Sequence, residues 1–117
     1  PNALGAILDE ESVSRLQCPI VAGGANNQLK AAGHGAMLAD RGILYAPDYV
    51  INAGGIINVS LEYLARREGT RCDVGEVRRR VAEIPARLEA IWQESEATGQ
   101  SADVVADSMA RKLIGRA

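Results

Sequence analysis

Apolar positions in this chain fall first into short blocks and later into helical stripes. Residues 6–17 (AILDEESVSRLQ) predict a short helix, with Asp9 or Ser12 available to accept the backbone N–H groups left open at its start. Pro19-Ile20-Val21-Ala22-Gly23 is a brief apolar run stopped by glycine, the pattern of a buried strand in a parallel sheet. Residues 24–33 are polar and loop-like. Residues 34–41 (HGAMLADR) predict a helix ended by Gly42, a residue at ease in the left-handed geometry that closes helices. Ile43-Leu44-Tyr45-Ala46 predicts a second buried strand, closed by Pro47. Strand, helix and strand in this order predict a parallel βαβ unit with a right-handed crossover.

Beyond Pro47 the pattern turns helical. A turn over 48–52 leads into a helix over 54–67. Asp73-x-x-Glu76 has the spacing of a capping box, in which each side chain meets a free backbone N–H. From there Val74, Val77, Val81, Ile84, Leu88 and Ile91 recur at alternating steps of three and four. Such a stripe fits either a coiled-coil partner or a long helix laid on the domain's own surface. The second reading is favoured, because coiled coils usually sustain more heptads. Pro85 falls inside this helix and removes a hydrogen bond, which predicts a kink. A last helix is expected from Ser101, with Val105, Met109 and Leu113 on its buried face.

Composition narrows this picture. At 117 residues the chain is one domain or less. Its apolar load is carried by Ala, Val, Ile and Leu, with no Phe and a single Trp, which suits helices packed closely on a small sheet. A formal charge of −2 gives no electrostatic footprint for nucleic acid or an anionic membrane, so neither is expected as a partner. Cys18 and Cys72 stand far apart, with one His in the chain and no metal-ligand spacing; they read as ordinary thiols of a cytoplasmic protein, and no metal site is expected. No apolar run approaches the ~20 residues of a membrane span. The opening Pro1-Asn2-Ala3-Leu4-Gly5 reads as a loop leaving a strand, so the chain is expected to be a segment of a longer polypeptide.

In an open α/β sheet, ligands bind beyond the carboxyl ends of the strands. Three segments occupy such places: 2–5, 23–28 and 48–55, all rich in Asn, Ala and Gly. Small residues let a ligand lie against the backbone, and Asn supplies a donor and an acceptor without charge. Together these loops suit a flat, polar, uncharged group. Each taken alone is equally the composition of a plain turn.

The stretch PDYVINAGGIINV (residues 47–59) closely resembles the signature of the leucine, valine and phenylalanine dehydrogenases, within the glutamate/leucine/phenylalanine/valine dehydrogenase family. Ala3-Leu4-Gly5-Ala6, Ala22-Gly23-Gly24-Ala25-Asn26-Asn27-Gln28-Leu29 and the His34-Gly35 pair match in the same order, so the resemblance is specific over residues 1–62 and looser beyond. It implies an α/β fold: a partial Rossmann-like NAD-binding domain over 1–70, then C-terminal helices over 71–117 that pack on it or on a substrate domain. It also implies reversible oxidative deamination of an amino acid to a 2-oxo acid and ammonia, with NAD as cofactor, in a homo-oligomeric full-length enzyme. By resemblance Ala3 and Leu4 line the coenzyme ribose through their backbone, and Asn26 or Asn27 sits by the nicotinamide. Asn52 holds the nicotinamide or the substrate carboxylate; its bland alternative is a helix cap.

If the chain is helical from Asn52, then Asn52, Ile56 and Val59 share one face at i, i+4 and i+7. The resemblance places Ile56 and Val59 in the pocket for the substrate side chain. A glutamate carboxylate left unpaired against Val59 would cost several kcal/mol, so leucine, valine or isoleucine is favoured, with phenylalanine open.

No catalytic residue is assigned. The chain contains no G-x-G-x-x-G, since Leu38 stands where the third small residue should fall after Gly33-His34-Gly35. By resemblance the catalytic lysine and aspartate belong to a separate substrate domain. Lys30 and Lys112 match no motif and read as solvated charges. His34 has no carboxylate or nucleophile at a fixed spacing and reads as structural. The segment alone is therefore expected to be inactive. The competing view, a stand-alone nucleotide-binding or interaction module docking through the stripe helix, would leave an exposed sheet edge and little affinity for phosphate.

Overall fold

The computed structural model describes residues 2–115. Helix α1 (Glu10–Arg15) is followed by strand β1 (Ile20–Val21), helix α2 (Gly33–Asp40) and strand β2 (Leu44–Tyr45). Five helices complete the described chain: α3 (Asp48–Ile51), α4 (Gly54–Arg67), α5 (Val74–Ala82), α6 (Ile84–Thr98) and α7 (Ala102–Leu113). The two strands pair in parallel, Ile20 opposite Leu44 and Val21 opposite Tyr45, with α2 as the crossover. The expected α/β arrangement of short parallel strands followed by helices is what the chain adopts.

Tyr45, the last residue of β2, and Ala46 just after it serve opposite faces, as the pleat requires. Tyr45 joins Leu8, Val13, Val21, Leu38 and Ile43 in one core cluster under α1 and α2. Ala46 joins Val50, Leu88, Ile91, Ala102, Val105 and Ala106 in a second cluster between α3, α6 and α7. The strands are less buried than expected, being covered on one face only: Val21 and Tyr45 are buried, while Ile20 and its partner Leu44 remain open, at 55% and 38% exposure.

Local codes act largely as anticipated. Asp9 and Ser12 do not compete for the cap of α1; they share it as a capping box, with Ser12 N–H donating to Asp9 Oδ1 at 3.0 Å and Asp9 N–H to Ser12 Oγ at 2.8 Å. Gly42 has φ 67°, and the N–H of Ile43 reaches back to the Leu38 carbonyl, closing α2. His34 is structural: its Nδ1 accepts the Ala31 N–H at 2.9 Å. Lys30 forms a surface pair with Asp9 at 3.3 Å, and Cys18 and Cys72 are free thiols.

Several expectations are corrected. Residues 6–8 and 16–17 are not helical: Ala6 is left-handed at φ 59°, and Leu8 forms a parallel bridge with Leu29, in a segment read as loop. Leu8 N–H donates to Gln28 O at 2.9 Å and Lys30 N–H to Leu8 O at 3.0 Å, a non-local pairing that overrides helix propensity. The box at Asp73 is half made. Asp73 accepts from Gly75 N–H, while Glu76 turns away to Arg79 and Arg80, whose charge-assisted bonds outcompete a neutral backbone N–H.

Pro85 marks a break rather than a kink. Helix α5 ends at Ala82 and Pro85 occupies the first turn of α6, where a missing N–H costs nothing. The stripe grows more buried along its length, from Val74 at 61% exposure to Ile91 at 2%; its α5 half packs on α4 and its α6 half on α3 and α7. Leu113, expected inside, is 80% exposed at the end of α7. No helix among the described residues is long and apolar enough to cross a membrane.

Candidate ligand site at the strand ends

Both strands end at the same edge, and the chain leaves β1 into residues 22–28 and β2 into residues 46–53. Five hydrogen bonds pull these loops together with residues 2–6. Asn2 Oδ1 accepts the Gly24 N–H at 2.8 Å, and Ala6 N–H donates to Asn27 O at 2.6 Å. Asn52 Nδ2 donates to Asn26 Oδ1 and, at 3.4 Å, to Gly24 O. Asp48 Oδ2 accepts the Asn27 N–H at 2.7 Å. The three segments singled out by composition thus form one continuous surface. Ala3 and Leu4 lie exposed on it, Leu4 at 87%, with Asn26 and Asn27 exposed beside them.

Asn52 ends α3 with φ −94° and ψ 9°, and Ala53 precedes α4 with φ −64° and ψ −11°. The chain therefore turns through helix-like geometry from Asn52 onward without being one unbroken helix. Ile56 and Val59 stand on α4 at 66% and 58% exposure, on open surface. The structure brings the asparagines into mutual contact, while the apolar pair lies along the adjoining helix.

The amide of Asn52 is already committed. Its N–H₂ group points at Asn26 Oδ1 and Gly24 O, so donation to a substrate carboxylate would require breaking these bonds. What stays available is the Asn52 carbonyl oxygen, an acceptor, and the Asn26 amide nitrogen, a donor. A ligand carrying a primary carboxamide presents the complementary acceptor and donor. The set is uncharged and holds no paired nucleophile and base, so it can bind and orient but has no means to move a proton.

Two residues of this surface escaped the sequence reading. Asp48 is 6% exposed, yet both its carboxylate oxygens are engaged, Oδ2 by Asn27 N–H and Oδ1 by the Tyr45 hydroxyl at 3.1 Å. Burial together with the nearby Asp48 carboxylate pushes the Tyr45 phenol well above its ordinary range. Gln28 is fully buried and donates to Gly23 O at 3.2 Å and Ala25 O at 2.9 Å, which shapes the loop from within. The available signal was an acidic residue directly after Pro47 at a strand end, a place where a buried carboxylate needs donors from elsewhere in the chain.

Residues 1–115 match the Glutamate/Leucine/Phenylalanine/Valine dehydrogenase family. The chain is 44% identical over 115 residues to a leucine dehydrogenase of Thermoactinomyces intermedius, which covers 97% of this chain and 30% of that protein. It is 52% identical over 62 residues to a phenylalanine dehydrogenase of Bacillus thermotolerans, covering 53% of this chain and 16% of that one. Among solved structures it superposes on the L-tryptophan dehydrogenase from Nostoc punctiforme with a TM-score of 0.87 and 40% identity, over 98% of this chain and 33% of that one. The chain thus spans about a third of the length of these relatives or less.

Proposed function

Because the chain belongs to the glutamate/leucine/phenylalanine/valine dehydrogenase family, we propose that it forms the nicotinamide and substrate side of an NAD-dependent amino-acid dehydrogenase. The reaction is the reversible oxidative deamination of an apolar L-amino acid to its 2-oxo acid and ammonia, in a cytoplasmic, homo-oligomeric enzyme. The observation that carries this reading is the Asn26–Asn52 clip, which joins the loops after two adjacent parallel strands and leaves one donor and one acceptor free. That pair fits a nicotinamide carboxamide. NAD, when bound, accepts the hydride taken from the substrate α-carbon.

In this reading Ala3 and Leu4 offer backbone and a small surface to the ribose, and Asn26 and Asn27 flank the nicotinamide. Asn52 meets the carboxamide, or the substrate's ammonium group, through its free carbonyl oxygen. Ile56 and Val59 form the wall for the substrate side chain and exclude water from it. Two branched aliphatic groups reject a second carboxylate, which would be stranded without a partner, so leucine, valine and isoleucine are the favoured substrates, and phenylalanine is compatible. Residues 1–70 are assigned to the dinucleotide-binding domain and 71–117 to helices that brace it. The proton-transfer groups are assigned to a part of the enzyme beyond these residues.

The test is a steady-state assay of the enzyme that carries this segment, following reduced nicotinamide with leucine, valine, phenylalanine and glutamate. Higher kcat/KM for the apolar substrates is expected. Turnover restricted to glutamate, or none with any amino acid, overturns the reading.

A further inference from the structure

The asparagines of the candidate site do not set their own positions. Asn27 holds φ 53°, a left-handed conformation that a side-chain-bearing residue adopts only at some cost. Its N–H is fixed at 2.7 Å by Asp48 Oδ2, and the second oxygen of the same carboxylate is fixed at 3.1 Å by the Tyr45 hydroxyl. Tyr45 is itself held from the far side, through its carbonyl, by Trp92 Nε1 at 2.8 Å. The chain of contacts runs from Trp92 on α6, through the last residue of β2 and a buried carboxylate, to the exposed loop after β1. Every polar atom of Asp48's carboxylate faces a donor, and no cation takes part in these bonds.

We infer that Asp48 is a positioning residue, 6% exposed, whose two carboxylate oxygens accept from Asn27 N–H and Tyr45 Oη–H and so hold the Asn26–Asn27 loop in its ligand-ready shape. The inference rests on the dehydrogenase reading above and adds to it the residue that organises the nicotinamide end. Asp48 touches no ligand in this scheme. Its effect passes through the backbone of Asn27 to the side chain of Asn26, whose oxygen is then met by Asn52. The two clips restrain the loop at neighbouring residues, so losing one frees Asn27 to leave the left-handed region and rotates the peptide that carries Asn26.

The chemistry distinguishes the possible substitutions. In Asp48→Ala both bonds vanish and the Asn27 N–H has no partner. In Asp48→Asn the side-chain oxygen still accepts from Asn27, and the tyrosine hydroxyl turns to accept from the new N–H₂. Tyr45→Phe keeps the ring in the core but leaves Oδ1 without its donor.

The experiment uses the whole enzyme and measures NAD binding by calorimetry without substrate, alongside kcat and the thermal midpoint. Expected is about tenfold weaker NAD binding in Asp48→Ala, with Asp48→Asn returning to within about threefold of the parent. Should the alanine variant not fold, Tyr45→Phe carries the comparison, with a loss of about threefold expected. A lowered thermal midpoint with unchanged NAD affinity would mean that Asp48 only stabilises the fold, and would overturn the inference. Equal affinity in the alanine and asparagine variants, both weak, would overturn it as well, by making charge rather than the two bonds the cause. A parent enzyme that does not bind NAD overturns the dehydrogenase reading and this inference with it; a parent that binds NAD alongside unaffected variants overturns the inference alone.

Discussion

The indole N–H of Trp92 donates at 2.8 Å to the carbonyl oxygen of Tyr45, tying α6 to the last residue of β2 across 47 positions of sequence. Phenylalanine at 92 would keep most of the packing and remove only the donor, leaving a carbonyl at the end of a buried strand without its partner. Trp92→Phe is expected to lower stability by about 1–2 kcal/mol, read from denaturant unfolding followed by far-ultraviolet circular dichroism. An unchanged midpoint would show that water replaces the indole at no cost.

Gly35 lies in α2 against Asp103 of α7, and a Cβ placed there would sit 2.0 Å from Asp103 Oδ1. The whole carboxylate group would have to swing aside, since Asp103 Cγ lies 2.5 Å and Oδ2 2.7 Å from the same point. Gly35→Ala is expected to destabilise by about 1–3 kcal/mol, and adding Asp103→Ala should recover part of that loss. Strict additivity of the two changes in a double-mutant cycle would rule out the contact as the cause.

Val59 provides two methyl groups to the proposed side-chain wall. In the intact enzyme Val59→Ser should reduce kcat/KM for leucine by about tenfold and move the leucine-to-glutamate ratio toward glutamate. Steady-state kinetics with both substrates decides it: kinetics that do not move would take Val59 out of the pocket.

Asn52→Asp replaces an N–H₂ group by an oxygen aimed at Asn26 Oδ1 and Gly24 O, turning two attractions into repulsions. It should therefore bind NAD more weakly than Asn52→Ala, even though it is closer in shape to asparagine. Calorimetric titration of the two variants gives the order, and the reverse order would refute the clip.

Asp9 carries a pH signature. The Ser12 backbone N–H first, then the Ser12 hydroxyl and Lys30, hold its carboxyl down to about 2 from an ordinary 3.8. The folded value lies below the unfolded one, so the ionised cap contributes fully above 3.8 and its contribution is lost as pH falls from there toward about 2. Asp9→Asn still accepts the Ser12 N–H but carries no charge. The stability gap between parent and variant should be constant near neutral pH and shrink over that acid window, as followed by acid-dependent unfolding. A gap that stays constant to the lowest pH would exclude the charge as its source.

What the sequence made legible was local. Gly42, the Asp9–Ser12 cap and the bounds of α4 follow from interactions within one or two helical turns, and those codes are written in adjacent residues. The three Asn-rich loops were legible because composition marks them and strand order places them together. The Leu8–Leu29 bridge was hidden, since nothing in residues 6–8 announces a partner some twenty positions on. Asp48 was hidden for a similar reason: Tyr45 is a local partner three residues away, but Asn27 becomes a neighbour only after β1 and β2 pair. Pro85 was seen but its effect misjudged: the same residue that kinks a helix interior starts a new helix comfortably when the preceding one has already ended.

The two clips on the loop after β1 come from residues 21 and 26 positions further along the chain. That loop cannot take its final shape when β1 first forms; it must wait until α2 has crossed over and β2 has docked. Competence to hold a ligand is therefore among the late events of folding in this segment, reached only once a sizeable loop has been closed and its entropy given up. A chain interrupted anywhere between Leu44 and Asn52 would keep Asn26 and Asn27 and lose the order that makes them part of a site.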